Sequence, residues 1–387
     1  MARRPGPKRA SGYDKRVALV LQGGGALGSY QAGVYEAIAD SPFQPDWVAG
    51  ISIGAVNAAI IAGNPAGERV AKLRRFWERV TTPPRWAAWT DLAFGTVPEL
   101  RRNAGATSAV LFGQTGFFEP RPPEAWWREP PPTSFYDTSA LKGTLESLVD
   151  FDRINHPDGI RLSVGAVNVR TGNFAYFDSA EMPLRVEHVM ASGALPPGFP
   201  AIEIDGEHFW DGGLVSNTPL QYVITKVPRR SRLVFQVDVF PARGRLPRTL
   251  LEAAEREKDI RYSSRTRAGS DVIRTTHDLR HNINTLLGKL PPALRDTPEA
   301  HSLYEFACVT TMDIAQLIYR PEDEQGQTKD YEFGRATMEE RWTHGRADAQ
   351  ETLDAAPWLA PMPPEVGART FDVVGDRLRA EGRHDLA

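Results

Sequence analysis

Val17-Ala18-Leu19-Val20-Leu21-Gln22-Gly23-Gly24-Gly25-Ala26-Leu27-Gly28 passes, without a break, from an apolar run into three glycines and then into a helical pattern over 29–39. A short, continuous apolar run stopped by glycines reads as a strand buried on both faces, the kind found in parallel sheets. The glycines leave backbone N–H groups uncovered by side chains, and at the start of a helix such donors favour negative charge. In an acyl-transfer enzyme they would form an oxyanion hole. The same stretch also matches G-x-G-x-x-G through Gly23, Gly25 and Gly28, the dinucleotide fingerprint, so a nucleotide-binding oxidoreductase stays open on this motif alone. That alternative requires an acidic residue near the end of the second strand, to hold a ribose hydroxyl. Asp46 has a suitable spacing, but it begins the second apolar run, 46–49, where the fingerprint wants an acid at the end.

What ends the second run is Gly50-Ile51-Ser52-Ile53-Gly54, followed by an apolar helical pattern over 53–62. This is G-x-S-x-G in its required context, strand before and helix after. A serine on so sharp a turn stands exposed at the top of the sheet, and glycines two residues to either side let substrate approach. The plain structural alternative is a serine capping a helix. A serine hydroxyl needs a neighbour to take its proton, most often histidine. None of the eight histidines follows a strand in a convincing turn. His188 falls in a helical pattern over 185–191, His208 in a polar hairpin-like stretch, and His277 and His281 are spaced as neighbours on a charged helix. That last pair is read as a solvated helix face, since a metal would need a third ligand. The other candidate base is Asp211, in Trp210-Asp211-Gly212-Gly213-Leu214-Val215-Ser216-Asn217-Thr218-Pro219. A carboxylate can act directly if it reaches the hydroxyl, though Asp-Gly-Gly alone reads equally as a turn.

Further strand-like runs lie at 161–169, 173–177 and 233–239. Their alternation with helical patterns indicates an α/β fold with a mostly parallel sheet. Residues 81–135 are rich in proline and tryptophan (Trp86, Trp89, Trp126, Trp127), with Leu92, Phe94, Leu111, Phe112, Phe117 and Phe118 nearby. Such a stretch suits either a lipid-facing lid or an insertion packed on the core. Beyond 240 the chain is more charged, with helical patterns at 250–260 and 271–287 and one or two strands within 305–319 that extend the sheet. The expected organisation is a disordered basic tail over 1–14, a catalytic domain over 15–240 carrying the 81–135 insertion, and an accessory region over 241–387. Net charge is −3, which gives no general attraction to nucleic acid. The single cysteine, Cys308, excludes an internal disulfide framework and a Cys/His zinc cluster; no cofactor or metal is expected. No stretch reaches the ~18 apolar residues of a membrane span, and the N-terminus lacks a signal-peptide core.

Taken in order, Gly23-Gly24-Gly25-Ala26-Leu27-Gly28, Gly50-Ile51-Ser52-Ile53-Gly54 and Asp211-Gly212-Gly213 resemble the motifs of the patatin-like phospholipases, as does Ala191-Ser192-Gly193-Ala194-Leu195-Pro196-Pro197-Gly198-Phe199-Pro200. The resemblance covers residues 15–240. It implies a three-layer α/β/α sandwich and calcium-independent hydrolysis of lipid acyl esters. Ser52 matches the family's nucleophile and Asp211 its aspartate, a Ser–Asp dyad without histidine, while Gly23, Gly24 and Gly25 match its oxyanion loop. Gly28, Gly50, Gly54, Gly212 and Gly213 support the turns. Leu27 stands where many members carry Arg or Lys, so a positive charge beside the loop is missing. Lys329-Asp330-Tyr331-Glu332-Phe333-Gly334-Arg335-Ala336-Thr337-Met338 resembles a C-terminal extension of some bacterial members, which implies no function. The partner expected is a lipid or acyl-ester substrate, with peripheral membrane contact and a homo-oligomer as further expectations and a cytoplasmic location. A catalytically silent scaffold that keeps the fold and binds lipid or partners is the other alternative.

Overall fold

The computed structural model describes residues 13–82, 98–263, 266–321, 326, 328–363 and 366–385. Its apolar runs join in one nine-stranded sheet. The strands are β1 (Arg16–Leu21), β2 (Trp47–Gly50), β5 (Arg161–Asn168), β6 (Phe174–Asp178), β7 (Ile202–Ile204), β8 (Glu207–Asp211), β9 (Arg232–Asp238), β10 (Met312–Ile318) and β11 (Ala368–Phe371). A separate two-stranded ribbon pairs β3 (Glu119–Pro120) with β4 (Tyr136–Asp137). The order across the sheet is β11-β10-β9-β1-β2-β5-β8-β7, with β6 also on β5. From β11 to β5 every pairing is parallel; β6, β7 and β8 pair antiparallel.

Alternation along β1 decides the layers, because successive side chains leave a strand on opposite faces. Val17, Leu19 and Leu21 join Leu233, Phe235 and Val237 under α1 (Gly28–Ala39), α2 (Ile53–Ala62) and α3 (Arg69–Val80). Ala18 and Val20 join Val234 and Ile314 under the helix Leu220–Thr225. The result is the three-layer α/β/α sandwich. Helix α2 is apolar all round, and all ten of its residues are buried. Helix α3 is one-sided: Leu73, Phe76, Trp77 and Val80 recur at helical spacing and are buried.

The chain beyond residue 240 is mostly helical, yet β10 and β11 continue the sheet past β9. The helix Arg335–Ala355 lies along α1 at close range: a Cβ on Gly33 would collide with the Trp342 carbonyl, and one on Gly345 with that of Tyr30. Two backbones approach this closely only where both helices carry a bare position. Within 305–319 only Met312–Ile318 is a strand, and the run's first residues end the helix Pro298–Phe306. The Pro/Trp-rich stretch, expected to be irregular, contains the helix Pro98–Phe112. Trp86, Trp89, Leu92 and Phe94 lie outside the described residues, as does most of the basic tail. His277 departs from the solvated face expected of it: it is buried 2% exposed against the strand edge, where a Cβ on Gly367 would strike its carbonyl. Among the described residues no group of three or more His, Cys, Asp or Glu side chains could hold a metal ion, and no helix is long and apolar enough to cross a membrane.

Candidate active site

Both glycine motifs open from adjacent parallel strands at the same end of the sheet, so the fold brings them together. Ser52, two residues past β2 and just before α2, has φ 55° and ψ −126°, a backbone conformation an L-residue rarely adopts. The surroundings enforce it. The Ser52 N–H donates to the Ser192 carbonyl at 3.1 Å and to the Ser192 Oγ at 3.0 Å. The Ser192 hydroxyl in turn donates to the Gly165 carbonyl at 2.7 Å. A Cβ on Gly50 would strike the Gly54 carbonyl, and one on Gly54 the Leu21 carbonyl. This is the steric reason the motif needs both glycines.

Asp211 reaches Ser52 by a different route. Strand β8 runs antiparallel to β5, with Asp211 opposite Ala166. The chain then turns over β5 at Gly212, where a side chain would strike the Gly165 carbonyl. The Asp211 carboxylate accepts a hydrogen bond from the Gly213 N–H at 2.7 Å, and the Ser52 side chain stands close enough to draw its pKa down. Asp211 is buried, and burial pushes its pKa up to about 7 against the pull of those two groups. Among the described residues no histidine lines the cleft. His188 is buried elsewhere, its Nδ1 accepting from the Arg185 N–H at 2.8 Å.

The glycine loop flanks Ser52; a Cβ on Gly23 would press on that of Ser52. Gly23 is tied twice to Asn217: its N–H donates to the Asn217 carbonyl at 3.1 Å, and its carbonyl accepts from Asn217 Nδ2 at 3.0 Å. Gly25 has φ 54°, a left-handed value that suits glycine. Among the described residues the N–H groups of Gly24 and Gly25 make no hydrogen bond within the protein. Behind the loop, Gln22 ends β1. Its Oε1 accepts from the N–H groups of Val239 and Phe240 at 2.7 and 3.0 Å, and its Nε2 donates to Thr218 Oγ1 and the Tyr262 carbonyl at 3.1 Å each. Gln31 and Asn57 continue this buried polar chain into α1 and α2. A satisfied network of this kind fixes one arrangement.

Ser52, Asp211 and the glycine loop form the polar end of an open cleft of about 750 Å³. The rest is mostly apolar, with Ile53, Val56, Leu141, Phe117, Phe118 and Phe199 along its length. Phe117 and Phe118 are buried; Phe117 packs edge-on with Phe199 and Phe333, and Phe118 edge-on with Phe333. This part of the Pro/Trp-rich stretch is therefore a wall of the cleft, whereas Trp127 stands 81% exposed. Leu27 is fully buried in the core. Asp46, the acid the dinucleotide alternative needs, sits at the opposite end of the sheet, ion-paired with Arg16 and Arg232 at 3.0 and 3.2 Å. The glycine loop therefore has no ribose-binding acid of the expected kind at its end of the sheet.

Several residues of the site were not singled out in the sequence. Ser192 and Asn217 lie inside recognised motifs but carry no sign of a role. Tyr262, Asp330, Tyr331 and Phe333 come from beyond residue 240 and also line the cleft.

Solved structures to which the chain is similar include VipD from Legionella pneumophila (14% identity, 88% of this chain and 67% of that one, TM-score 0.36). Human GIVD cytosolic phospholipase A2 matches at 9% identity, over 89% of this chain and 60% of that one, with TM-score 0.41. The type III effector protein ExoU matches at 14% identity, over 88% and 53%, with TM-score 0.31. All three are distant. Among curated proteins none matches. A family described as patatin phospholipase matches residues 260–365. The family described as patatin-like phospholipase matches residues 19–224, more than half of the chain and both glycine motifs, and the protein belongs to that family.

Proposed function

We propose that the protein hydrolyses the acyl esters of lipids, with Ser52 as nucleophile and Asp211 as its base. The observation that carries this is the Ser52 side chain beside a buried, partner-poor carboxylate at the polar end of an aromatic cleft, close enough to pull that carboxyl's pKa down. In the first step Asp211 accepts the Ser52 proton as Oγ bonds to the ester carbonyl carbon. The N–H groups of Gly24 and Gly25 are free to receive the negative charge that develops on the carbonyl oxygen. As the tetrahedral intermediate collapses, the carbon–oxygen bond to the alcohol breaks and Asp211 returns its proton to that oxygen. Water then attacks the acyl-enzyme, again losing its proton to Asp211, and Ser52 leaves reprotonated with release of the fatty acid.

A carboxyl with pKa about 7 is suited to both directions of transfer, since it neither holds nor refuses a proton strongly at neutral pH. The apolar length of the cleft favours an acyl chain over a polar acid. Family membership supports a lipid substrate, and contact with a membrane surface is part of the same proposal.

The test is a fluorophosphonate probe with p-nitrophenyl ester turnover as a parallel assay. Wild-type protein should be labelled at Ser52, and Ser52→Ala should lose label and turnover together while keeping its melting temperature. Turnover that survives in Ser52→Ala removes the assignment. A wild-type protein that is folded but takes no probe points instead to the silent scaffold.

A further inference from the structure

The amides of the glycine loop are useful only if they are held at a fixed angle to Ser52. On its inner side the loop is fixed by Asn217 and Gln22. On its outer side the contact comes from Asp330. The Asp330 carbonyl accepts from the Ala26 N–H at 2.8 Å, and a side chain on Gly25 would collide with that same carbonyl. Asp330 thus sits as a strap across the back of the two free amides.

The strap is itself anchored by charge. The helix Leu250–Tyr262 turns Glu255, Lys258 and Asp259 towards it, at helical spacing. Lys258 pairs with the Asp330 carboxylate, and the pair is largely shielded, with side-chain exposures of 16% and 13%. The neighbouring Lys329 pairs with Glu255 at 3.1 Å and with Asp259 at 2.6 Å. The two surfaces therefore interlock by sign, cation on anion and anion on cation, and a one-residue slip of the strap would set like charges together. The buried Arg341 adds hydrogen bonds to the carbonyls of Lys329 and Glu332 at 3.0 and 3.1 Å. The Lys258 ammonium also lies 4.8 Å over the ring of Tyr331, which lines the cleft.

We propose that Lys258 and Asp330 are positioning residues for the acyl-transfer step: their ion pair holds the strap that aims the Gly24 and Gly25 amides. The C-terminal region is in this way a working part of the active site. The proposal rests on the hydrolase reading above. Because the strap touches the amides from behind, it governs transition-state stabilisation rather than the fit of the acyl chain. Misaiming such donors costs rate at the bond-making step.

The experiment uses the full chain, with active sites counted by fluorophosphonate titration so that unfolded protein drops out. Lys258→Met and Asp330→Asn should each lower kcat per titrated site, and the rate of probe capture, by roughly ten- to a hundredfold. KM for a p-nitrophenyl ester should stay within about twofold. Lys258→Arg, which keeps the pair, should recover most of the loss. If both variants keep wild-type kcat per titrated site and lose only melting temperature or site count, the pair is structural and the proposal fails. A wild-type protein that takes no probe at Ser52 removes the hydrolase reading and this proposal with it.

Discussion

Asp178 and Asp211 are both buried beside the same strand, and their surroundings drive them in opposite directions. Asp178 stands opposite Ser163 on β5 and Asp211 opposite Ala166, a short step further along. Around Asp178 burial raises the pKa, but the partners overcome it. Arg161 donates from Nε and Nη2 at 2.8 and 2.6 Å, the Ala180 N–H at 2.9 Å, and the hydroxyls of Ser163 and Tyr222 at 2.8 Å each. The carboxyl is held below the usual range. Among the described residues Asp211 has no cation beside it, only the Ser52 side chain and the Gly213 N–H, and burial wins. A buried carboxylate therefore becomes a structural post or a proton acceptor according to how many donors surround it. Polar satisfaction fixes the first; withholding it leaves the second with a pKa near neutral.

Removing the acceptor gives the largest effect. Asp211→Asn should cut ester turnover by roughly 10²- to 10⁴-fold, the range for a lost general base. It should also raise the melting temperature. The sign follows from linkage: a carboxyl with its folded pKa raised destabilises the fold in full above about pH 7, and the burden vanishes below the unfolded value of about 3.8. An amide carries none of it. An unchanged or lower melting temperature at pH 8 would contradict this account of Asp211. Next comes the other aspartate. Arg161→Met strips Asp178 of its guanidinium, which also lies 3.9 Å over the Trp47 ring. Leaving a buried charge uncompensated should cost about 3–5 kcal/mol of stability, read by urea unfolding, with kcat per titrated site unchanged. A variant that loses less than about 1 kcal/mol would mean that Asp178 does not depend on its cation. The mildest test changes no residue. If Asp211 must be ionised to act, kcat/KM should climb about tenfold per pH unit up to a bend near pH 7, then level off. A profile flat from pH 5 to 8 would show that another group sets the proton balance.

The sequence was legible where structure is local. A strand, a glycine turn and a helix are neighbours in the chain, so 17–28 and 46–62 disclose the glycine loop and the serine corner within a residue or two of their true limits. Asp211 was legible only as a turn, because nothing near it in sequence states that β8 crosses β5 beside Ile51 and Ser52. Strand β11, with the sequence Ala368-Arg369-Thr370-Phe371, escaped notice: it is short, and Ala368 alone among its residues is fully buried. The helix Pro98–Phe112 was hidden by the proline-rich composition around it. Asp330 was legible only as part of a motif with no implied role, since its contact with Ala26 is made by a backbone carbonyl, to which any residue type could contribute.

The sheet is not assembled in the order in which its strands are synthesised. Strand β9 has β1 on one side and β10 on the other, and the carbonyl that caps the Ala26 N–H belongs to residue 330. The ribosome therefore releases the serine, the aspartate and the glycines well before the residue that steadies them. Until then the edge of β9 stands open and the glycine loop lacks its outer contact.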